Sequence, residues 1–331
     1  MSEEKNPSDA ARRYWIGVDI GGTKTAIVLC LQPPIILERV VFPTSPEQGA
    51  ERALRLIQEN IHHLIEKHGI APEELAAIGI SCGSPLDHIA GVILSPPNLP
   101  GWDYVPIVKI LQREFAVPCR LENDANAGAV AEHRFGAGQG TQHMIFLTMG
   151  TGLGAGIIAD GKLYHGATDT AGEIGHVRLT SSGPVGYNKV GSVEGWASGG
   201  GMAQVAVQQV TAAIENGEVT SLAAQLTTNR ILTAKDVAIA AGQGDELAKR
   251  IVRSTGTRLG EALAILVDLL NPEVIVIGGL AMRLGESVLA PARAVVEKEA
   301  LSTPAKACRI VPAGLGEQIG DLAAICVAMG F

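Results

Sequence analysis

The run Val18-Asp19-Ile20-Gly21-Gly22-Thr23-Lys24-Thr25 joins two apolar stretches, Trp15 to Ile20 and Ala26 to Leu31, and so reads as a hairpin with a phosphate-sized gap at its tip. The same construction returns at Met144 to Met149, a β-type run followed by Gly150-Thr151-Gly152-Leu153-Gly154. Between the two, apolar residues Leu54, Ile57, Ile61, Leu64 and Ile65 fall at helical spacing and stop at Gly69, and a strand follows at Ala77 to Ser81. A proline-bearing loop from Cys82 to Trp102, a short helix from Pro106 to Phe115 and a strand near Cys119 to Glu122 lead to a helix that begins at Asn123-Asp124 and runs to about Phe135. After Gly201 helical patterning dominates, over Met202 to Glu215, Ala234 to Gln243 and Glu246 to Leu270. A parallel-type strand, Val274 to Ile277, then runs into Gly278-Gly279, followed by a helix to about Ala300, a strand Arg309 to Pro312 and a closing helix Ile319 to Met329. Two strand-led halves, each opening on a glycine hairpin, point to an α/β chain of two duplicated domains with a cleft between them.

The hairpin chemistry suits a polyanion. Gly21 and Gly22 carry no Cβ to keep phosphates off the backbone amides, Thr23 and Lys24 add a hydroxyl and a cation, and Asp19 can hold a hydrated Mg²⁺. No G-x-x-x-x-G-K-[ST] string occurs, so this is not a Walker A loop, and a plain hairpin turn accounts for the glycines equally well. Lys plus Arg number 26 against 34 Asp plus Glu, a formal charge of −8, so no global positive field draws nucleic acid or an anionic membrane. The five cysteines lack C-x-x-C spacing and sit mostly in apolar segments, as reduced thiols of a cytoplasmic protein do. Residues 1–13 are polar and read as a flexible tail rather than a signal peptide, and no run of 18 apolar residues follows.

Taken in order, Asp19-Ile20-Gly21-Gly22-Thr23-Lys24, Ser95-Pro96-Pro97-Asn98-Leu99-Pro100-Gly101-Trp102, Glu122-Asn123-Asp124-Ala125-Asn126, Thr148-Met149-Gly150-Thr151-Gly152-Leu153-Gly154 and Glu173-Ile174-Gly175-His176 closely resemble the ROK family of sugar kinases and repressors. Ile277-Gly278-Gly279 and the ending Gly320-Asp321-Leu322-Ala323-Ala324 extend the likeness over nearly the whole chain from Trp15. The resemblance implies an actin-like, hexokinase-type ATPase fold. Its small N-terminal domain would span residues 14–121 and be completed by 317–331, with a larger domain over 122–316.

It also implies roles. Asp124 aligns with the family's catalytic aspartate, the general base for a sugar hydroxyl. Asn98, Asn123, Glu173, His176 and Glu194 would contact the sugar, and Gly278 and Gly279 the adenosine of ATP. Thr148, Gly150, Thr151, Gly152 and Gly154 would cover the β- and γ-phosphates, facing Gly21 to Lys24, with domain closure excluding water. Asp19 would position Mg²⁺ through water. One departure stands out: the family commonly carries C-x-C-G-x-x-G-C-x-E, and here Val185, Tyr187 and Ser192 occupy the cysteine positions, while Glu194 is kept. His176 without thiolates cannot supply four tetrahedral ligands, so no zinc is expected.

The leading expectation is an ATP-dependent glucokinase acting at the 6-hydroxyl, with an N-acetylhexosamine (N-acetylglucosamine or N-acetylmannosamine) or fructose as alternative substrate and polyphosphate as alternative donor. A sugar-binding regulator without catalysis is the reading from another class. About 14 residues precede the first strand, too few for the helix-turn-helix of the family's repressors. A homodimer follows by analogy with the family.

Overall fold

A computed structural model describes residues 12–227 and 231–330. Most of the expected tail, residues 1–11, lies outside the described residues. The chain forms two compact units, one from Met1–Ala131 with Glu317–Phe331 and one from Glu132–Gly316. No helix among the described residues is long and apolar enough to cross a membrane.

In the first unit β1 (Tyr14–Ile20), β2 (Lys24–Gln32) and β3 (Ile35–Pro43) form an antiparallel meander, and β4 (Leu75–Cys82) pairs with β1 in parallel. The proline-bearing loop that follows carries a small hairpin, β5 (Leu86–Asp87) and β6 (Val92–Ile93), which the turn residues there had concealed. Strand β7 (Cys119–Asn123) closes the sheet in the order β3-β2-β1-β4-β7. Helix α1 (Ala50–His68) buries Ala53, Ile57, Ile61 and Leu64 at spacings of three and four, and it ends because Gly69 takes a left-handed turn at φ 60°. Helices α2 (Ile107–Phe115) and α3 (Asp124–Phe135) flank β7 in sequence. The C-terminal helix, Ile319–Met329, buries every residue from Asp321 to Ala328. It lies on β1 and β4 so closely that only glycine fits at two sheet positions. A Cβ on Gly17 would stand 2.9 Å from Ala324 Cβ, and one on Gly79 would collide with the backbone of Ala324 and Ala328. Arg39 Nε donates to Asp321 at 2.7 Å and Arg120 Nη1 to the Ala328 carbonyl at 2.7 Å, so both ends of that helix are tied down.

The second unit repeats the plan. Its strands β8 (Met144–Met149), β9 (Leu153–Ala159) and β10 (Lys162–Leu163) are antiparallel, a short hairpin of β11 (Val185–Gly186) and β12 (Lys189–Val190) stands apart, and β13 (Val274–Gly279) and β14 (Arg309–Pro312) run parallel to β8. The order β10-β9-β8-β13-β14, with the same strand directions as in the first unit, is the duplication of the actin-like ATPase fold. Helices α4 (Val193–Ala197), α5 (Gly199–Glu215), α6 (Ala223–Thr227), α7 (Ala234–Gly242), α8 (Glu246–Leu270), α9 (Leu280–Leu284), α10 (Glu286–Glu299) and α11 (Ser302–Ala307) complete it. Gly256 and Gly260 let α8 cross α10 at backbone contact, since a Cβ there would meet the Val288 and Ala292 carbonyls at 2.5 and 2.6 Å. The single helix expected up to Ala300 is two, because Gly285 at φ 54° caps α9 and restarts the chain as α10.

Two carboxylates, one buried and one partly buried, organise loops. Glu132 is fully buried, and its Oε2 accepts from the amides of Ala137 and Gly314 while Oε1 accepts from Leu315. It therefore joins the segment after α3 to the segment after β14. Asp245 caps α8 through the Ala248 amide and also accepts from Ser221 and Thr220. Partial burial works to raise its carboxyl, but these hydrogen bonds outweigh it and hold the pKa at about 2 against an ordinary 3.8. A depressed pKa gives stability that is complete above pH 3.8 and lost as pH falls through about 2. Asp245→Ala should thus cost about 1 kcal/mol at neutral pH, with the difference from wild type shrinking in acid melts over that window.

Candidate active site

In the first unit the β1–β2 turn is closed by the Gly21 amide, which donates to the Lys24 carbonyl at 3.0 Å, and by Thr44, whose hydroxyl donates to the Gly21 carbonyl at 2.6 Å and meets Thr25 Oγ1 at 2.9 Å. Gly22 has a steric reason of its own: a Cβ there would stand 2.7 Å from the Asn98 carbonyl oxygen. The proline loop thus brings Asn98 against the glycine turn, and the Asn98 side chain lies beside Gly83 at the end of β4. Asp19, in register with Ser81 across the parallel pair, is the last residue but one of β1, just before the turn.

Asp19, Asp124 and Asp321 form one electrostatic group. Thin hydration comes first in raising Asp19 to about 6, and the negative charges of Asp124 and then Asp321 add to it against the opposing pull of Lys24. Asp321 is also raised, by burial, with the Arg39 guanidinium and Lys24 opposing. The C-terminal helix begins directly on this group, since a Cβ on Gly320 would reach Asp19 Oδ2 at 2.5 Å. Its amide end faces negative charge, the favourable polarity.

Asn123 ends β7 and caps α3. Its Oδ1 accepts from the amides of Ala125 at 2.9 Å and Asn126 at 3.2 Å, and its Nδ2 donates to Ser84 Oγ at 2.8 Å. Both polar ends of Asn123 are engaged within the protein, so a bound hydroxyl would share these bonds. Buried Glu122 holds the same turn by accepting from the Asn123 amide and Asn126 Nδ2. Asp124 follows as the first helical residue, with Oδ1 accepting from the Ala125 amide at 2.8 Å. Protein crowded around Asp124 thins its hydration and lifts its carboxyl above 3.8, with the Ala125 amide opposing, yet the side chain keeps a face open to solvent. A carboxylate of this kind is more basic than usual.

In the second unit the β8–β9 turn closes through the Gly150 amide on the Gly152 carbonyl, 3.0 Å. The start of α5 pins it from outside. Ser198 caps the helix through the Gly201 amide, and the Gly199 and Gly200 amides donate to the Gly150 and Thr151 carbonyls at 2.8 and 3.1 Å. A Cβ on Gly199 or Gly200 would be 2.9 Å from those carbonyl oxygens and one on Gly201 would collide with the Gly195 carbonyl, which is why three glycines open the helix. Gly278 and Gly279 end β13 beside Thr148 and Met149 of β8. Gly279 turns left-handed at φ 67°, and a Cβ on it would strike the Met149 carbonyl. These glycines lie where the strands of an open α/β sheet end at their carboxyl edge, the usual ligand edge.

Glu173 precedes and His176 ends a one-turn 3₁₀ segment, Ile174–His176, pressed onto the beginning of β9. Cβ atoms on Gly172 and Gly175 would collide with the Ala155 and Leu153 carbonyls, and Gly175 also abuts Glu194 Cβ. Glu194, on α4, accepts from the Leu153 amide at 3.0 Å through Oε2. The structure therefore brings Glu173, His176, Glu194 and the glycine turn 150–154 together. Around them two of the positions without cysteine, Val185 and Ser192, are hydrogen-bonded. Val185 exchanges two bonds with the Gln204 side chain, and Ser192 Oγ donates to the Gly186 carbonyl and accepts from the Gly195 amide. Lys189 Nζ donates to the His176 carbonyl, Arg178 to the Val190 carbonyl, and Trp196 Nε1 to Thr180 Oγ1, with the Arg258 guanidinium 4.8 Å over the Trp196 ring. Among the described residues no group of three or more His, Cys, Asp or Glu is arranged to hold a metal ion.

Sequence reasoning gave no role to Asp321, to its partner Arg39, or to the Ser198–Gly201 start of α5. The strings Gly320-Asp321 and Ser198-Gly199-Gly200-Gly201 were the available signals, each a helix start with no side chain in the way.

The ROK family model matches residues 15–330. A glucokinase of Halalkalibacterium halodurans is 34% identical over 310 residues, 93% of this chain and 92% of its own. An N-acetylmannosamine kinase of Escherichia coli is 32% identical over 276 residues, 83% of this chain and 85% of its own. The crystal structure of a ROK family glucokinase from Streptomyces griseus, in complex with glucose and AMPPNP, matches with a TM-score of 0.79 and 32% identity over 96% of this chain and 99% of that one. With the motifs in order, the fold duplicated as in these structures and the family match running almost end to end, the chain belongs to the ROK family.

Proposed function

We propose that this sugar kinase transfers the γ-phosphoryl group of ATP to the 6-hydroxyl of glucose, with Asp124 as general base. The observation that carries the reading is the Asp124 carboxylate, anchored by one oxygen at the start of α3 and lifted above its ordinary pKa while still open to solvent. It can accept the hydroxyl proton as the oxygen attacks phosphorus, and the anchored Oδ1 fixes the direction of the other oxygen. Asn98 and Asn123 offer donors and acceptors to sugar hydroxyls in the same unit, and Glu173, His176 and Glu194 offer theirs from the second. The hairpin amides with Thr23, Lys24, Thr148 and Thr151 are the phosphate cradle of this reading, and Gly278 and Gly279 let adenosine lie against backbone. Asp19, an oxygen donor in the negative field of Asp124 and Asp321, suits Mg²⁺, a hard cation that keeps its water shell, and would hold it through water; bound there it would spread charge on the transferring group.

The assay that tests the reading follows ADP release with Mg²⁺-ATP over a panel of hexoses and N-acetylhexosamines, with Asp124→Asn as the blank. Turnover of glucose above the other sugars, abolished in the variant, supports it. The likeness to an N-acetylmannosamine kinase supports an N-acetylhexosamine as the second reading, and preferential turnover of such a sugar would install it instead. Lys24→Ala should lower kcat/KM for ATP by about tenfold, the loss of one charge-assisted contact, with the sugar KM unchanged. A rise in sugar KM alone would move the hairpin to the sugar site.

In this reading the protein holds no zinc, and the hydrogen bonds of Gln204, Ser192 and Lys189 do the bracing of the 176–194 loop. Elemental analysis of metal-stripped, repurified protein should find zinc far below one equivalent, with activity intact. Stoichiometric zinc would refute it.

A further inference from the structure

The turn between β11 and β12 is made by Tyr187 and Asn188, both left-handed at φ 43° and 61°. Such a two-residue turn favours Asn-Gly because residues with a large side chain are strained at positive φ. An aromatic residue there needs a reason, and burial is not it, because Tyr187 is 60% exposed. It makes a ring contact with His176, centroids 6.0 Å apart and planes at 78°, an edge-to-face arrangement. The turn cannot swing freely away from His176. Lys189 Nζ bonds the His176 carbonyl at 2.8 Å, and Gly186 is wedged so that a Cβ on it would stand 2.7 Å from Glu194 Cβ. A strained, exposed aromatic in edge contact with one sugar-contact candidate, on a hairpin packed against another, is the pattern of a ligand contact rather than of a core residue.

We propose that Tyr187 determines sugar specificity: its ring, steadied by His176, supplies the apolar face on which the C–H face of a pyranose packs, while His176 and Glu194 take hydroxyls. Pyranose C–H faces are the apolar surface a sugar has, and a broad, half-exposed ring is the side chain suited to cover one. This rests on the reading of His176 and Glu194 as sugar contacts.

Tyr187→Gly is the informative variant, since glycine adopts φ 43° without strain while the ring is lost. The expected result is a sugar KM raised about five- to tenfold, kcat and the ATP KM within about twofold, and a melting temperature equal to or above wild type. Tyr187→Phe, which keeps the ring, should recover most of the lost affinity. Discrimination between sugars that differ in an equatorial or axial hydroxyl should narrow in Tyr187→Gly and return in Tyr187→Phe. An unchanged sugar KM overturns the proposal alone. A lowered melting temperature with kcat and both KM values moving together makes Tyr187 a structural residue and also overturns it. Wild-type protein inert on every sugar overturns the kinase reading beneath, and this proposal with it.

Discussion

Asp124→Asn is expected to lower kcat by about a hundredfold or more and to leave the sugar dissociation constant within about twofold, the mark of an interaction made in the transition state. The substitution preserves shape, and the Ala125 amide can still find an acceptor in the Asn carbonyl, so α3 should start where it does now. What is lost is the negative charge and the basic oxygen. Isothermal titration with sugar, beside steady-state kinetics, separates binding from chemistry. Near-normal turnover would remove Asp124 from the role of base. Removing its charge also relieves Asp19, whose carboxyl is lifted partly by Asp124.

The second large effect concerns folding. Glu132→Ala removes the acceptor for three backbone amides, those of Ala137, Gly314 and Leu315, and leaves a void where Gly136 packs on the carboxylate. A hydrogen bond to a charged group contributes about 1.5–3 kcal/mol, and three that share one side chain are not additive, so a loss of about 3–4 kcal/mol is expected. For a unit of this size that is a fall in Tm of about 10 °C. Glu132→Gln, isosteric but turning an N–H towards N–H donors, should fall between. A melting temperature unchanged in Glu132→Ala would show that the two loops are held by something else.

Much of the fold was legible because local rules and tertiary demands agree. Helix α8 falls at Glu246–Leu270 as its periodicity and its Asn271-Pro272 stop require, and β8 at Met144–Met149 as its apolar run requires. Where the expectation differed, one residue with two readings was responsible. Gly285 can sit inside a helix or end one, and its left-handed φ ended α9. The helical pattern of the sequence begins only at Met202, because glycine disfavours helices, whereas α5 starts at Gly199, where backbone approach to the Gly150 and Thr151 carbonyls leaves room for nothing larger.

For the candidate site, motif order named Asp19, Asp124, Glu173, His176 and Glu194, since chemistry constrains residue type. The partners came from packing. Asn123 caps α3 through the amides of Ala125 and Asn126 while its Nδ2 donates to Ser84, Asp321 arrives beside Asp19 from the far end of the chain, and Tyr187 meets His176 only because a hairpin folds back. By itself the sequence determined the family, the two glycine hairpins and the candidate for the acidic base, which are written in contiguous residues whose spacing sets local backbone geometry. The tertiary structure alone decided which charges share a field and which glycines exist for contact. Those depend on distances between segments far apart in the chain, and electrostatic and steric energies follow distance in space, not in sequence.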